Sequence, residues 1–158
     1  MSLTALGIDP SSKKIATAGL DEDGNITTRL LPVPAALRGA QRLAYIRSAL
    51  SVQLSQFRDV AVIVVEIPWA HPRPSFVLLS IAGVILEAAQ STHPDVEVLG
   101  ATTGEWKLAT VGKGNASKAD VLGHAHGRGY FGEDQDIADA LAMAEMGWGR
   151  WHGAVRAA

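Results

Sequence analysis

Four carboxylates stand where strand-like runs end or where a late helix begins. Asp9 closes the run Leu6-Gly7-Ile8, Glu66 closes Val62 to Val65, and Asp136 and Asp139 open an apolar-periodic segment. If the strands ending in Asp9 and Glu66 are neighbours, these two acids lie side by side. Asp136 and Asp139, three residues apart, share one face of a helix crossing that strand end. Like charges so gathered repel and raise one another's pKa, and such a cluster is best tolerated with divalent cations bound. Hard oxygen ligands select Mg²⁺, with Mn²⁺ able to substitute. Two such ions roughly 3.5–4 Å apart are suited to hydrolysing a phosphodiester. Taken singly, each acid has a plainer reading as a surface residue or cap, and Asp136 and Asp139 also suit the first turn that a helix dipole favours. The joint pattern argues for a metal centre.

The elements that would position these acids follow from the pattern of apolar residues. Leu3 to Asp9, Ile15 to Leu20 and Ile26 to Leu31 read as three strands of an antiparallel meander, with Asp23-Gly24-Asn25 as turn chemistry and Pro32 and Pro34 as a stop. From Ala36 to Phe57, Leu37, Leu43, Ile46, Leu50, Leu54 and Phe57 mark an amphipathic helix. The unbroken run Val60 to Val65 marks a strand covered on both faces. Ser75 to Gln90 predicts a second helix, Val96 to Leu99 a fifth strand. Short helices follow, capped by Thr102 or Thr103 and by Ser117, and a last helix runs from Asp134 or Gln135 through Met146. The Gly-rich, Trp-containing tail from Gly147 is expected to be irregular or packed back. The expected fold class is α/β, with a five-stranded mixed sheet, antiparallel strands first and parallel strands after, flanked by helices.

Composition narrows the chemistry further. With 158 residues, 47% hydrophobic and 19% charged, the chain is expected to fold as one domain spanning residues 1–158. It has no cysteine, which removes disulfides, zinc ribbons, iron-sulfur clusters and thiol nucleophiles. No signal-like segment opens it, and the stretch Phe76 to Ala89 is too short to span a bilayer, so a cytoplasmic location and no membrane partner are expected. The net charge of −2 conceals an uneven distribution. Between Lys107 and Arg128, four bases, including Lys113 and Lys118, face Asp120 alone, and acids crowd the residues just beyond. Alone, Lys113 and Lys118 also read as solvated surface lysines. Gly112, Gly114 and Asn115 suit either a loop approaching phosphate or a simple turn. His124 and His126, two apart, do not share a helix face and make no paired metal site.

These residues resemble a known family. Leu6-Gly7-Ile8-Asp9-Pro10, the strand ending in Glu66, the stretch Trp106 to Val121 and Asp136-Ile137-Ala138-Asp139-Ala140-Leu141-Ala142 look like the RuvC Holliday-junction resolvases of the RNase H-like superfamily, including compact phage-type members. The resemblance spans most of the chain in order. It implies an RNase H-like fold, a homodimer facing a two-fold four-way DNA junction, and paired metal-dependent nicks. By the same resemblance Asp9, Glu66, Asp136 and Asp139 match the family's metal-binding acids, and Lys107 and Lys118 match basic residues contacting DNA. Trp69 stands where the family places an aromatic against junction bases; Arg73, in the Pro-rich loop after it, and Lys113 complete the candidate DNA contacts. Ser11 replaces the family's usual Gly after the Ile-Asp-Pro element. The alternatives are a broader branched-DNA or RNA nuclease of the same fold and, in another class, an actin-like nucleotide-binding lobe, for which one domain of this length supplies only one of two lobes. A non-catalytic junction-binding module would lack the acids that are present.

Overall fold

The computed structural model describes residues 2–68 and 75–157. Five strands form one mixed sheet: β1 (Ala5–Pro10), β2 (Lys14–Leu20), β3 (Ile26–Pro32), β4 (Val62–Glu66) and β5 (Glu97–Ala101), in the order β3-β2-β1-β4-β5. The first three are antiparallel neighbours, as the two tight connections dictate, whereas β4 lies parallel to β1 and β5 parallel to β4. Parallel pairing requires crossovers. These are supplied by α1 (Gly39–Leu54) and α2 (Phe76–Thr92), while α3 (Thr103–Val111), α4 (Lys118–Gly127) and α5 (Gln135–Ala157) follow the last strand. Among the described residues no helix is long and apolar enough to cross a membrane.

Strand alternation divides the core into two clusters. Leu6, Ile8, Ile15, Ile63 and Val65 pack beneath α1 and α2 with Ile46, Leu50, Leu54, Ile81 and Ile85. Ala5, Ala16, Ala18, Leu20, Val62 and Val64 face the other way, toward Trp106, Val121 and the Ala-rich side of α5. On that second face α5 lies against the backbone of β1. A Cβ on Gly7 would collide with the Ala140 carbonyl oxygen and the Ala144 nitrogen, so only glycine lets the helix approach this closely.

The last helix differs from the sequence expectation. It does not stop at Met146; it continues to Ala157 through Gly147, Gly149 and Gly153. Each interior glycine costs a helix about 1 kcal/mol relative to alanine, and tertiary contacts offset that cost. At Gly147 a Cβ would come within 3.0 Å of the Val62 side chain, so the glycine lets the helix run close over β4. Farther along, Trp148 Nε1 donates to the Asp21 carbonyl at 3.1 Å, and Arg150 pairs with Glu97 of β5 at 2.6 Å. The tail does pack back, but as helix. Smaller differences fall at element ends: α1 begins three residues later than its apolar pattern suggests, and α3 runs past Leu108 to Val111, where Gly112 adopts φ 83° to close it.

Candidate active site

Register alone brings two of the four acids together. Ile8 of β1 pairs with Val65 of β4, and the next residue on each parallel strand is Asp9 and Glu66. Both side chains fall on the α5 face, because Ala5, Gly7 and Asp9 share one parity and Val62, Val64 and Glu66 share the corresponding one. The close approach of α5 at Gly7 then carries its first turns, with Asp136 and Asp139, over that strand end. Asp134 starts the helix: its Oδ1 accepts from the backbone N–H of Asp136 at 3.0 Å and of Ile137 at 3.3 Å, which caps the open N-terminal amides.

Two of the four acids, Asp9 and Asp139, register the charges of the others. Asp9 is pushed well above the ordinary aspartate range, first by burial and then by the charges of Glu66, Asp139 and Asp136, against a smaller opposing pull from Lys14. Asp139 rises to about 6, again chiefly through burial; the Gln135 hydrogen bond and Lys107 draw it down, and Glu66 and Asp136 push it up.

Each of three acids is also held by protein donors. Glu66 accepts from the Thr103 hydroxyl at 2.8 Å and from the indole Nε1 of Trp106 at 3.1 Å, so α3 engages both of its oxygens. Asp139 accepts from Gln135 Nε2 at 2.8 Å, one helical turn earlier. Asp136 takes an ion pair from Lys14 at 3.1 Å, and the same ammonium binds Asp134 at 2.6 Å. Held this way, the acids share an electrostatic field without converging: among the described residues no three His, Asp or Glu side chains form a ready-made cage for a metal ion. The donor set nonetheless has the chemistry of a hard-cation site, being four carboxylates with no imidazole or sulfur among them and with Asp9 disfavoured as a charge by burial and then by its neighbours.

Of the described basic residues singled out in the sequence, Lys107 engages this chemistry directly. It is partly buried, donates to the Ala116 carbonyl at 2.8 Å, sits 5.5 Å from the centre of the Trp106 ring and acts on Asp139. Lys113 and Lys118 are exposed; both Lys113 and Lys107 act on Asp120, which with Ser117 forms the capping box that starts α4. Trp69 and Arg73 lie outside the described residues. Gly112 ends α3 in a left-handed turn, and a Cβ on Gly114 would stand 3.2 Å from the Gly104 carbonyl oxygen, so this loop serves α3 as a turn. His124 pairs with Glu145 and His126 with the Gly132 carbonyl, both away from the acids.

Sequence reasoning missed Lys14, Thr103, Trp106 and Gln135 as partners of the acids. Lys14 was accessible to a parity argument, since it continues the inward face of Ala16, Ala18 and Leu20, and Gln135 stands at the i, i+4 spacing from Asp139 that permits a side-chain hydrogen bond. For Thr103 and Trp106 no local pattern exists, because their partner lies on another strand.

A mixed five-stranded sheet in this order, with the first three strands antiparallel and carboxylates at the ends of β1 and β4 beneath a C-terminal helix, has the RNase H-like architecture. Within that class the chain has the RuvC fold. It matches the structure of Thermus thermophilus RuvC with a TM-score of 0.69 at 22% identity, over 93% of this chain and 95% of that one. It also matches T. thermophilus RuvC in complex with Holliday junction substrate with a TM-score of 0.74 at 21% identity, over 95% and 96% of the two chains. No protein-family model matches the sequence, and no curated protein does.

Proposed function

We propose that the chain is a divalent-cation-dependent endonuclease that resolves four-way DNA junctions, with Asp9, Glu66, Asp136 and Asp139 as its cation ligands. The observation that carries this reading is the placement of two sheet-borne and two helix-borne carboxylates around one strand end, near enough for their charges to act on Asp9 and Asp139. It is supported by a fold shared along almost the whole chain with a protein solved on Holliday junction substrate. Mg²⁺ or Mn²⁺ bound there would supply Lewis-acid stabilisation of a phosphodiester and a more acidic water.

The chain's own residues set the conditions for that chemistry. Asp9 and Asp139 are both harder to ionise than an ordinary aspartate, chiefly through burial, so a cation bound beside them would favour their charged forms. Thr103 and Trp106 fix the plane of the Glu66 carboxylate. Lys107, tethered to the loop after α3, keeps a positive charge beside the acids where a phosphate would arrive, with Lys113 and Lys118 farther out as backbone contacts. Trp69 and Arg73 join the proposed DNA contacts on the family resemblance alone. A homodimer presenting two such sites to the two-fold junction would cut it in paired nicks.

The test is cleavage of labelled four-way junction, Y-fork and plain duplex DNA with Mg²⁺, Mn²⁺ or EDTA, comparing the chain with Asp9→Asn. Symmetric, metal-dependent nicks in the junction, lost in Asp9→Asn, are expected. Equal cutting of forks, or cutting of RNA instead, would replace the junction preference with a broader nuclease of this fold. No cleavage of any nucleic acid with either metal would overturn the reading.

A further inference from the structure

Lys14 enters the acidic site from β2. Its parity explains why: it continues the face made by Ala16, Ala18 and Leu20, which packs toward α5, whereas Lys13 lies on the opposite parity, is exposed, and lines a cavity with Arg38 and Arg42. Among the described residues Lys14 is the one basic side chain that forms an ion pair with any of the four acids.

The ion pair is asymmetric. Asp134 is anchored by its helix-capping role, with Oδ1 committed to the amides of Asp136 and Ile137 and Oδ2 bound to the ammonium at 2.6 Å. Asp136 receives the same ammonium at the longer distance of 3.1 Å, and among the described residues its carboxylate takes no backbone amides as that of Asp134 does. A lysine head is a compact charge on a flexible four-carbon stem, able to leave one oxygen while keeping another. A cation can therefore take Asp136 while Lys14 stays on Asp134.

We propose that Lys14 is a built-in counter-ion of the site: held by Asp134, it neutralises Asp136 and competes with an incoming divalent cation for that carboxylate. This rests on the four acids being cation ligands, as proposed above. The arrangement lets the chain carry crowded carboxylates without a cation, and it sets the concentration at which one enters.

The experiment is Mn²⁺ binding to the full chain without nucleic acid, followed by electron paramagnetic resonance and calorimetry. The variants are Lys14→Met, Lys13→Met, Asp134→Asn and the double variant Lys14→Met/Asp134→Asn, each with a thermal melt to establish folding. Lys14→Met should tighten Mn²⁺ binding by about tenfold, the scale of removing one partly exposed charge from a carboxylate. Lys13→Met, which removes the same charge one residue away, should change it by much less. Asp134→Asn should weaken binding, because the ammonium then rests on Asp136 alone, and that weakening should vanish in the double variant.

Equal effects of Lys13→Met and Lys14→Met, or strictly additive effects of Lys14→Met and Asp134→Asn, would reduce Lys14 to a general background charge and overturn the proposal. Absence of Mn²⁺ binding in both the native chain and Lys14→Met would instead bring down the cation-site reading itself, and this inference with it.

Discussion

The two faces of the sheet are built from different residues. Beneath α1 and α2 the core is made of branched aliphatic side chains, Leu6, Ile8, Ile15, Ile46, Leu50, Leu54, Ile63 and Ile81, which keep the helices at ordinary packing distance. Opposite them, Ala5, Ala16, Ala18, Ala138, Ala140, Ala142 and Ala144, with Gly7 between, draw α5 almost onto the strands. The bulky face removes more apolar surface per residue from water and so carries more of the stability. The small-residue face yields stability for proximity, and proximity brings the first turns of α5 over the ends of β1 and β4. Where a protein needs charged groups from separate elements to meet, small residues in the contact beneath them do the positioning.

That contrast can be broken most forcefully at Gly7. Gly7→Ala puts a Cβ into the backbone of α5, and we expect a loss of at least about 3 kcal/mol together with loss of any cation-induced rise in melting temperature, read by thermal denaturation with and without Mn²⁺. A cation response that survives unchanged would mean that α5 need not lie so close. The matching cut on the other face is Leu50→Ala. It should cost about 2–5 kcal/mol by leaving a cavity, while cleavage per folded molecule and the cation response stay as in the native chain. An altered metal dependence there would erase the division of labour between the faces.

The smallest effect concerns Asp139. Its carboxyl is raised to about 6 in the folded chain, so folding favours its protonated form. The stability this contributes is full below the ordinary carboxylate range and is lost as pH rises through about 6. In EDTA, Asp139→Asn should therefore gain on the native chain between pH 4 and pH 7 by on the order of 1–2 kcal/mol, after allowing for partial exposure. Added Mn²⁺ should favour the native chain at the upper end of that range. Parallel pH profiles for the two proteins would show that Asp139 is not strained by its neighbours.

Much of this fold was legible because its signals are local. The β-branched run before Glu66, the Asp23-Gly24-Asn25 turn and the capping residues Thr102 and Ser117 state their structure within a few positions, and the parity of Asp9 and Glu66 follows from strand alternation. What escaped depends on distant partners. Three glycines within α5 argue locally for an irregular tail, and only the approach to Val62, the reach of Trp148 to Asp21 and the Arg150–Glu97 pair make helix the better solution. In the sequence Trp106 stands only as the head of the family-like stretch, and its indole N–H acquires a purpose only once Glu66 is known to stand 3.1 Å away.

The 23 residues of α5 form a single strut roughly 35 Å long, at 1.5 Å per residue. Asp136 and Asp139 ride at one end of it, and Trp148 and Arg150 fasten its far half to the chain just after β2 and to β5. Over such a length a tilt of about two degrees displaces the tip by roughly 1 Å, enough to spoil the aim of a reacting group. The alignment of the two helix-borne acids with the two on the sheet is thus governed in part by fastenings many residues downstream, which hold the lever still.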